Sequence, residues 1–270
     1  MIELFQALLL GVIEGITEFL PISSTGHLIL TQELIGFKDT HELFTVVIQL
    51  GAIAAVVWYY RRDLWQKSVG LLRRESAALN FWKILALGTI PAGVIGLAFD
   101  KISTAISIPV VIAFALIIGG IILWLVDNKP MHRTEKLVPL DTITPKQALL
   151  VGLGQCVAMV PGVSRSGATI VSGLAVKLNR PTATAFSFYL SIPVLVLASA
   201  YKLAKYSADI PSISGGWAGI VIGLVAAFFT ALLAVSWLLR YIAHHNFKPF
   251  AIYRIVLGIL LLLAVSIGWL

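Results

Sequence analysis

The sequence predicts an all-α polytopic membrane protein, with six transmembrane helices and two re-entrant broken helical segments arranged as an inverted-topology repeat. Three observations predict it. The 270-residue chain is 59% hydrophobic and only 12% charged, outside the range of soluble globular domains. Apolar runs close to the ~20 residues that a spanning helix needs recur along it. The two halves of the chain resemble each other. The short alternating segments of a membrane β-barrel are absent from the sequence.

The elements follow in order. The apolar run from Leu4 to Ile13 is too short to span before Glu14, and Pro21 and Gly26 break any helix that continues. Spans are expected at 43–60, 82–100 and 108–126, then a polar segment at 127–146. A second short run, 147–160, ends at Pro161, and spans at 183–203, 217–239 and 250–269 complete the chain. The stretch Met1-Ile2-Glu3-Leu4 lacks the basic start of a cleavable signal peptide. The single Cys156 leaves no internal disulfide and no cysteine-rich metal site.

The repeat reads as 1–126 and 146–270 within one membrane domain, 1–270. Gln6-Ala7-Leu8-Leu9-Leu10-Gly11 answers Gln147-Ala148-Leu149-Leu150-Val151-Gly152. At the same offset Glu14 falls on Gln155, and Ser23-Ser24-Thr25-Gly26 falls on Ser164-Arg165-Ser166-Gly167. Phe44 pairs with Phe186 after a one-residue shift, and Pro109 lies near Pro249 in register. With one re-entrant segment and three spans per repeat, the second repeat enters the membrane upside down. If both termini are outside, the inside segments 61–83, 127–146, 177–181 and 240–248 carry fourteen Lys and Arg. The outside segments carry four, namely Lys38, Lys101, Lys202 and Lys205, so the arrangement obeys the positive-inside rule. The net charge of +7 therefore sets topology and meets anionic lipid head groups; it does not point to nucleic acid. Paired broken segments in an inverted repeat mark a binding site near the midplane, so the two polar stretches are expected to meet tip to tip.

Their residues carry the chemistry. Glu14 and Glu18 are four apart and share a helix face, which suits a hard divalent cation such as Mg²⁺ or Ca²⁺. Intramembrane acids are functional by default, although a wet membrane edge would also tolerate them. Ser23, Ser24 and Thr25 read either as caps of a helix starting near His27 or as a phosphate cradle with a serine nucleophile. His27 follows Ser24 by three and is a candidate base or leaving-group acid. Arg165 offers a planar fork for phosphate oxygens, and Ser164, Ser166, Gly167 and Thr169 surround it with donors. A helix starting near Ser166 would add a positive N-terminus. Ion pairing of Arg165 with Glu14 or Glu18 is compatible with that role.

Other features read as structural. Arg254 is expected to snorkel to the inner face as Arg240 and Lys248 do, and Trp58, Tyr59 and Tyr60 to form an interfacial belt. Gln49 is a weaker candidate for lining a cavity.

At these residues the chain resembles the undecaprenyl-diphosphate phosphatase family of bacterial membranes. The resemblance rests on Glu14-xxx-Glu18-Phe19-Leu20-Pro21-x-Ser23-Ser24-Thr25-Gly26-His27 and Pro161-Gly162-x-Ser164-Arg165-Ser166-Gly167-Ala168-Thr169. Phe44-Thr45-Val46-Val47-Ile48-Gln49-Leu50-Gly51 and Pro249-Phe250-Ala251-Ile252-Tyr253-Arg254 extend it over essentially the whole chain. It implies a cation-dependent hydrolase of the cytoplasmic membrane, acting at its outer side. Its substrate would be a polyprenyl diphosphate, cleaved to the monophosphate carrier used in peptidoglycan synthesis. It also implies bacitracin resistance, because the antibiotic sequesters the same substrate. The family's acidic motif maps to Glu14 and Glu18, its serine-histidine stretch to Ser23, Ser24 and His27, and its arginine motif to Ser164, Arg165, Ser166 and Thr169. Two routes stay open: attack by Ser24, or attack by a cation-bound water with His27 or Glu18 as base. The rival class is a secondary transporter or flippase for a lipid phosphate, which needs binding groups but no nucleophile. Membrane lipids are expected partners, and a homodimer is an open assembly expectation.

Overall fold

The computed structural model describes residues 1–128 and 136–268, with the side chains of 97–105 excepted. Lys129 and Arg133, two of the charges used for topology, lie outside the described residues, as does the side chain of Lys101.

Every regular element among the described residues is helical. The first half comprises α1 (Ile2–Thr17), α2 (Ser24–Ile35), α3 (Leu43–Tyr59), α4 (Arg61–Leu72), α5 (Ser76–Ala105) and α6 (Pro109–Val126). The second comprises α7 (Pro145–Gln155), α8 (Arg165–Ala175), α9 (Arg180–Tyr206), α10 (Gly216–Ile242) and α11 (Lys248–Ser266). Six segments are long and apolar enough to cross a membrane: α3 with the turn before it, α5 as far as Gly96, α6, α9 with the turn after it, α10 and α11. They present Phe114, Val221, Phe229 and Leu233 outward, each more than half exposed, as a lipid-facing surface requires. By contrast α1, α2, α7 and α8 have 16, 12, 11 and 11 residues, too short to span.

Local chemistry sets the boundaries. The Asp39 carboxylate accepts from the backbone N–H of Phe44 and Thr45 at 2.7 and 2.9 Å and starts α3. Thr144 and Gln147 form a reciprocal capping box at α7, and Asn179 caps α9 ahead of Pro181. Gly36, at φ 67°, ends α2 in the left-handed region. Two expectations are corrected. The segment 61–83 is not a plain loop, because it contains α4 and the start of α5. Arg180 is not a solvated loop charge: it is 3% exposed, and its Nε donates to Asp127 Oδ1 at 2.6 Å.

The halves pack reciprocally. The first short helix, α1, lies on α10 of the second half, and α7 lies on α5 of the first. At these crossings Gly11 abuts the Gly223 carbonyl and Gly152 abuts the Gly88 carbonyl, with no room for a Cβ at either. Helices α3 and α9 pair centrally, while α6 and α11 pair at the edge. In that last pair a Cβ on Gly120 would meet the Ala251 carbonyl at 2.8 Å, and one on Gly258 the Ala113 carbonyl at 2.7 Å.

Candidate active site

Both short helix pairs break in the same way. After α1 the chain turns through Leu20 and Pro21, and Ser23 then enters α2 at φ 74°. After α7 it turns through Pro161 and Gly162, and Ser164 enters α8 at the same φ of 74°. A non-glycine residue in this region is strained, and such strain clusters at functional sites. Each serine also caps its helix: Ser23 Oγ accepts from Gly26 N at 3.3 Å and Ser164 Oγ from Gly167 N at 3.0 Å. The capping reading therefore holds for Ser23, with the helix starting at Ser24 and not near His27; Ser164 caps in the same way, and the second helix begins at Arg165 and not near Ser166.

The two breaks meet. Arg165 Nη2 donates to Glu18 Oε1 at 2.8 Å, and Ser24 Oγ donates to the other oxygen, Glu18 Oε2. Arg165 Nη1 donates to the Ser187 carbonyl at 3.0 Å, and the guanidinium carbon lies 5.6 Å from the centroid of the Phe19 ring. Ser166 Oγ donates to the Leu20 carbonyl at 2.8 Å, tying one break to the other. Thr169 Oγ1 is 2.6 Å from Ser187 Oγ, which fixes α8 against α9. Glu18, Ser24, Ser164, Ser166 and Thr169 are all buried, so these bonds form in a medium of low dielectric where each is strengthened.

A cavity of about 600 Å³ opens over this junction. Glu18, Ser23, Ser24, Thr25, Ser164 and Arg165 line one end. Gln49, Thr45 and Gln155 add polar groups, and Ala92, Gly93, Leu195 and Ala198 form apolar walls. Glu14 sits one helical turn before Glu18, fully buried, and among the described residues no donor reaches either of its carboxylate oxygens.

Not every expected residue is placed as the sequence suggested. His27 is not paired with Ser24: its Nδ1 lies 2.7 Å from the Ser23 carbonyl, and its Nε2 2.7 Å from Tyr253 Oη, with the two rings stacked. The group at Ser24 is Glu18. Ser166, Gly167 and Thr169 hold the break together and do not border the cavity. Arg254 does not snorkel. It is 1% exposed, and its guanidinium donates to the carbonyls of Pro21 at 3.3 Å, Ala115 at 3.2 Å, Gly162 at 3.3 Å and Val163 at 2.8 Å. Lys202, counted among the outer loop charges, is buried on α9, borders the cavity and donates to the His41 carbonyl at 2.8 Å. Sequence reasoning missed Ser187, which carries no motif, and gave no role to Tyr253, although it lies in the matching stretch Pro249-Phe250-Ala251-Ile252-Tyr253-Arg254. Arg254 carried one available signal, a lone arginine in an otherwise apolar helix.

Residues 7–260 match the family described as bacitracin resistance protein BacA. The chain is 45% identical over 270 residues to undecaprenyl-diphosphatase 1 of Burkholderia cenocepacia, covering 98% of this chain and 96% of that one. It is 47% identical over 264 residues to undecaprenyl-diphosphatase 1 of Paraburkholderia xenovorans, covering 96% and 94%. It is 46% identical over 265 residues to undecaprenyl-diphosphatase of Acinetobacter baumannii, covering 97% and 96%.

Proposed function

We propose, for a chain that belongs to the bacitracin resistance protein BacA family, that the cavity is the active site of a membrane-embedded undecaprenyl-diphosphatase. One observation carries the reading. An arginine, a carboxylate and a hydroxyl are joined by hydrogen bonds where the two broken segments meet.

The residues divide the work. Arg165 supplies permanent positive charge and a fork that matches phosphate oxygens. Without substrate that charge is offset by Glu18. The Ser24 hydroxyl points at Glu18, so Glu18 is placed to take its proton. Ser24 Oγ attacks the terminal phosphorus, the bond from that phosphorus to the bridging oxygen breaks, and lipid monophosphate leaves. Water then attacks the phosphoserine, the Ser24–phosphorus bond breaks, and Ser24 regains its proton from Glu18. Positioning and charge neutralisation are most of what phosphoryl transfer requires. Ser23 and Ser164 hold the two helix N-termini toward the junction, and His27 braces the first break through the Ser23 carbonyl.

The Glu14 carboxylate, reached by no donor among the described residues and one turn from Glu18, fits a hard divalent cation, Mg²⁺ or Ca²⁺. Glu14 and Glu18 would hold it, with the rest of its shell left to water and phosphate oxygens, and when bound it would neutralise diphosphate charge.

The inverted repeat with two re-entrant segments is the arrangement that the reciprocal packing of α1 on α10 and α7 on α5 supports. The charge distribution supports an outer-facing cavity in the bacterial cytoplasmic membrane. A lipid-phosphate carrier would need Arg165 but would have no use for a hydroxyl aimed at a carboxylate.

The test is phosphate release from undecaprenyl diphosphate by purified protein in detergent, with and without Mg²⁺ or Ca²⁺, beside Ser24→Ala. Cation-dependent release by the wild type and none by the variant is expected. Release that survives in the variant would replace serine attack with water attack, and no release by the wild type would leave the carrier.

A further inference from the structure

Gln155 is 2% exposed, and neither its amide oxygen nor its amide nitrogen has a hydrogen-bond partner among the described residues. It closes α7 and borders the cavity together with Met159, Ser164 and Arg165. Buried amides are almost always paired, because an unmade hydrogen bond in the interior costs stability. The neighbouring polar side chains obey that rule: Ser24, Glu18, Ser164, Ser166 and Thr169 all have partners. Among the described residues, the groups left without one at the junction are Glu14, Gln155 and the Nε–H groups of Arg165 and Arg254, and of these Gln155 and Arg165 border the cavity.

These groups differ in what they can receive. Glu14 offers only acceptors and suits a cation. Arg165 Nε and the Gln155 amide offer N–H donors and suit an anion. A diphosphate has two phosphate groups, and the fork of one arginine covers one of them. Gln155 also occupies the repeat position of Glu14. A carboxylate there would set a second negative charge against the incoming head group, whereas an amide keeps the shape, adds a donor and carries no charge.

We infer that Gln155 is a substrate-binding residue, its amide N–H donating to a phosphate oxygen of the diphosphate head group. This rests on the diphosphatase reading above.

The test is Gln155→Met, close in size and free of polar hydrogens, purified beside the wild type. KM for undecaprenyl diphosphate should rise about tenfold to a hundredfold, the loss expected for one hydrogen bond to a charged group, with a smaller change in kcat. The thermal midpoint should hold or rise, because the variant removes two unpaired buried groups. Gln155→Glu should raise KM further than Gln155→Met. An unchanged KM in Gln155→Met overturns the inference whatever kcat does. So does a lowered midpoint, because the amide would then be serving a partner within the protein. Binding of inorganic diphosphate, measured by titration calorimetry, separates this inference from the reading beneath it. If the wild type binds diphosphate without releasing phosphate from the lipid, the diphosphatase reading fails. Weaker binding by Gln155→Met would then still uphold Gln155, and equal binding would overturn it.

Discussion

The two broken segments share a backbone and oppose each other in chemistry. Each runs from a short helix through a proline turn to a serine at φ 74° that caps the next helix. On that common frame the first presents Glu14, Glu18 and Ser24, where the second presents Gln155, Met159 and Arg165. Two like frames facing tip to tip would bring like charges together. Divergence of the side chains makes the meeting attractive, with Glu18 receiving both Ser24 and Arg165. The frame sets the geometry, and the departures from symmetry set the reaction.

Substitutions can break that asymmetry. Arg165→Ala leaves the first segment's carboxylates unopposed, and phosphate release should fall by about a thousandfold or more, equivalent to about 4 kcal/mol of transition-state stabilisation. Arg165→Lys keeps the charge without the fork and should recover only part of the activity. Ser24→Ala removes the attacking oxygen and should cut kcat by about a thousandfold or more, leaving no detectable phosphate release, while binding of the diphosphate changes less, as single-turnover kinetics would show. Glu14→Gln makes the two segments alike at that position. The cation concentration for half-maximal activity should rise about tenfold, read from Mg²⁺ and Ca²⁺ titrations. The smallest effects test the shared frame itself. Gly11→Ala and Gly152→Ala each force a methyl against a facing backbone carbonyl and should destabilise by about 1–3 kcal/mol. The two losses should be similar in thermal melts, and a large loss at one glycine with none at the other would argue against equivalent crossings.

Much of this was legible in the sequence. The six spans announce themselves because hydropathy is a local property, and the breaks do so because Pro21 and Pro161 interrupt apolar runs. The pairing of Arg165 with Glu18 was within reach as one of two acidic choices. What sequence could not supply was direction. Ser24 and His27 stand three apart, spacing that suggests one shared cavity, yet the His27 ring folds back on the Ser23 carbonyl and Ser24 turns across the break to Glu18. Arg254 reads as an interfacial charge because it lies near the start of a helix. Only the leaning of α11 on α6 carries it inward to the two breaks. Lys202 misleads in the same way, since its place on a long buried helix depends on where that helix sits.

Arg254 also bears on how the protein is made. Its guanidinium reaches the Pro21 carbonyl across 233 positions of sequence and the Val163 carbonyl across 91. Both acceptors lie in non-helical backbone and reach the membrane well before α11 is synthesised. Until α11 arrives they have no arginine, and unsatisfied carbonyls at membrane depth are costly. The junction is therefore complete only once α11 has packed against α6 and brought Arg254 to both breaks. The bonds of Arg165 and Ser166 across the junction can form earlier, so what α11 adds is the donor that satisfies the carbonyls of both breaks at once.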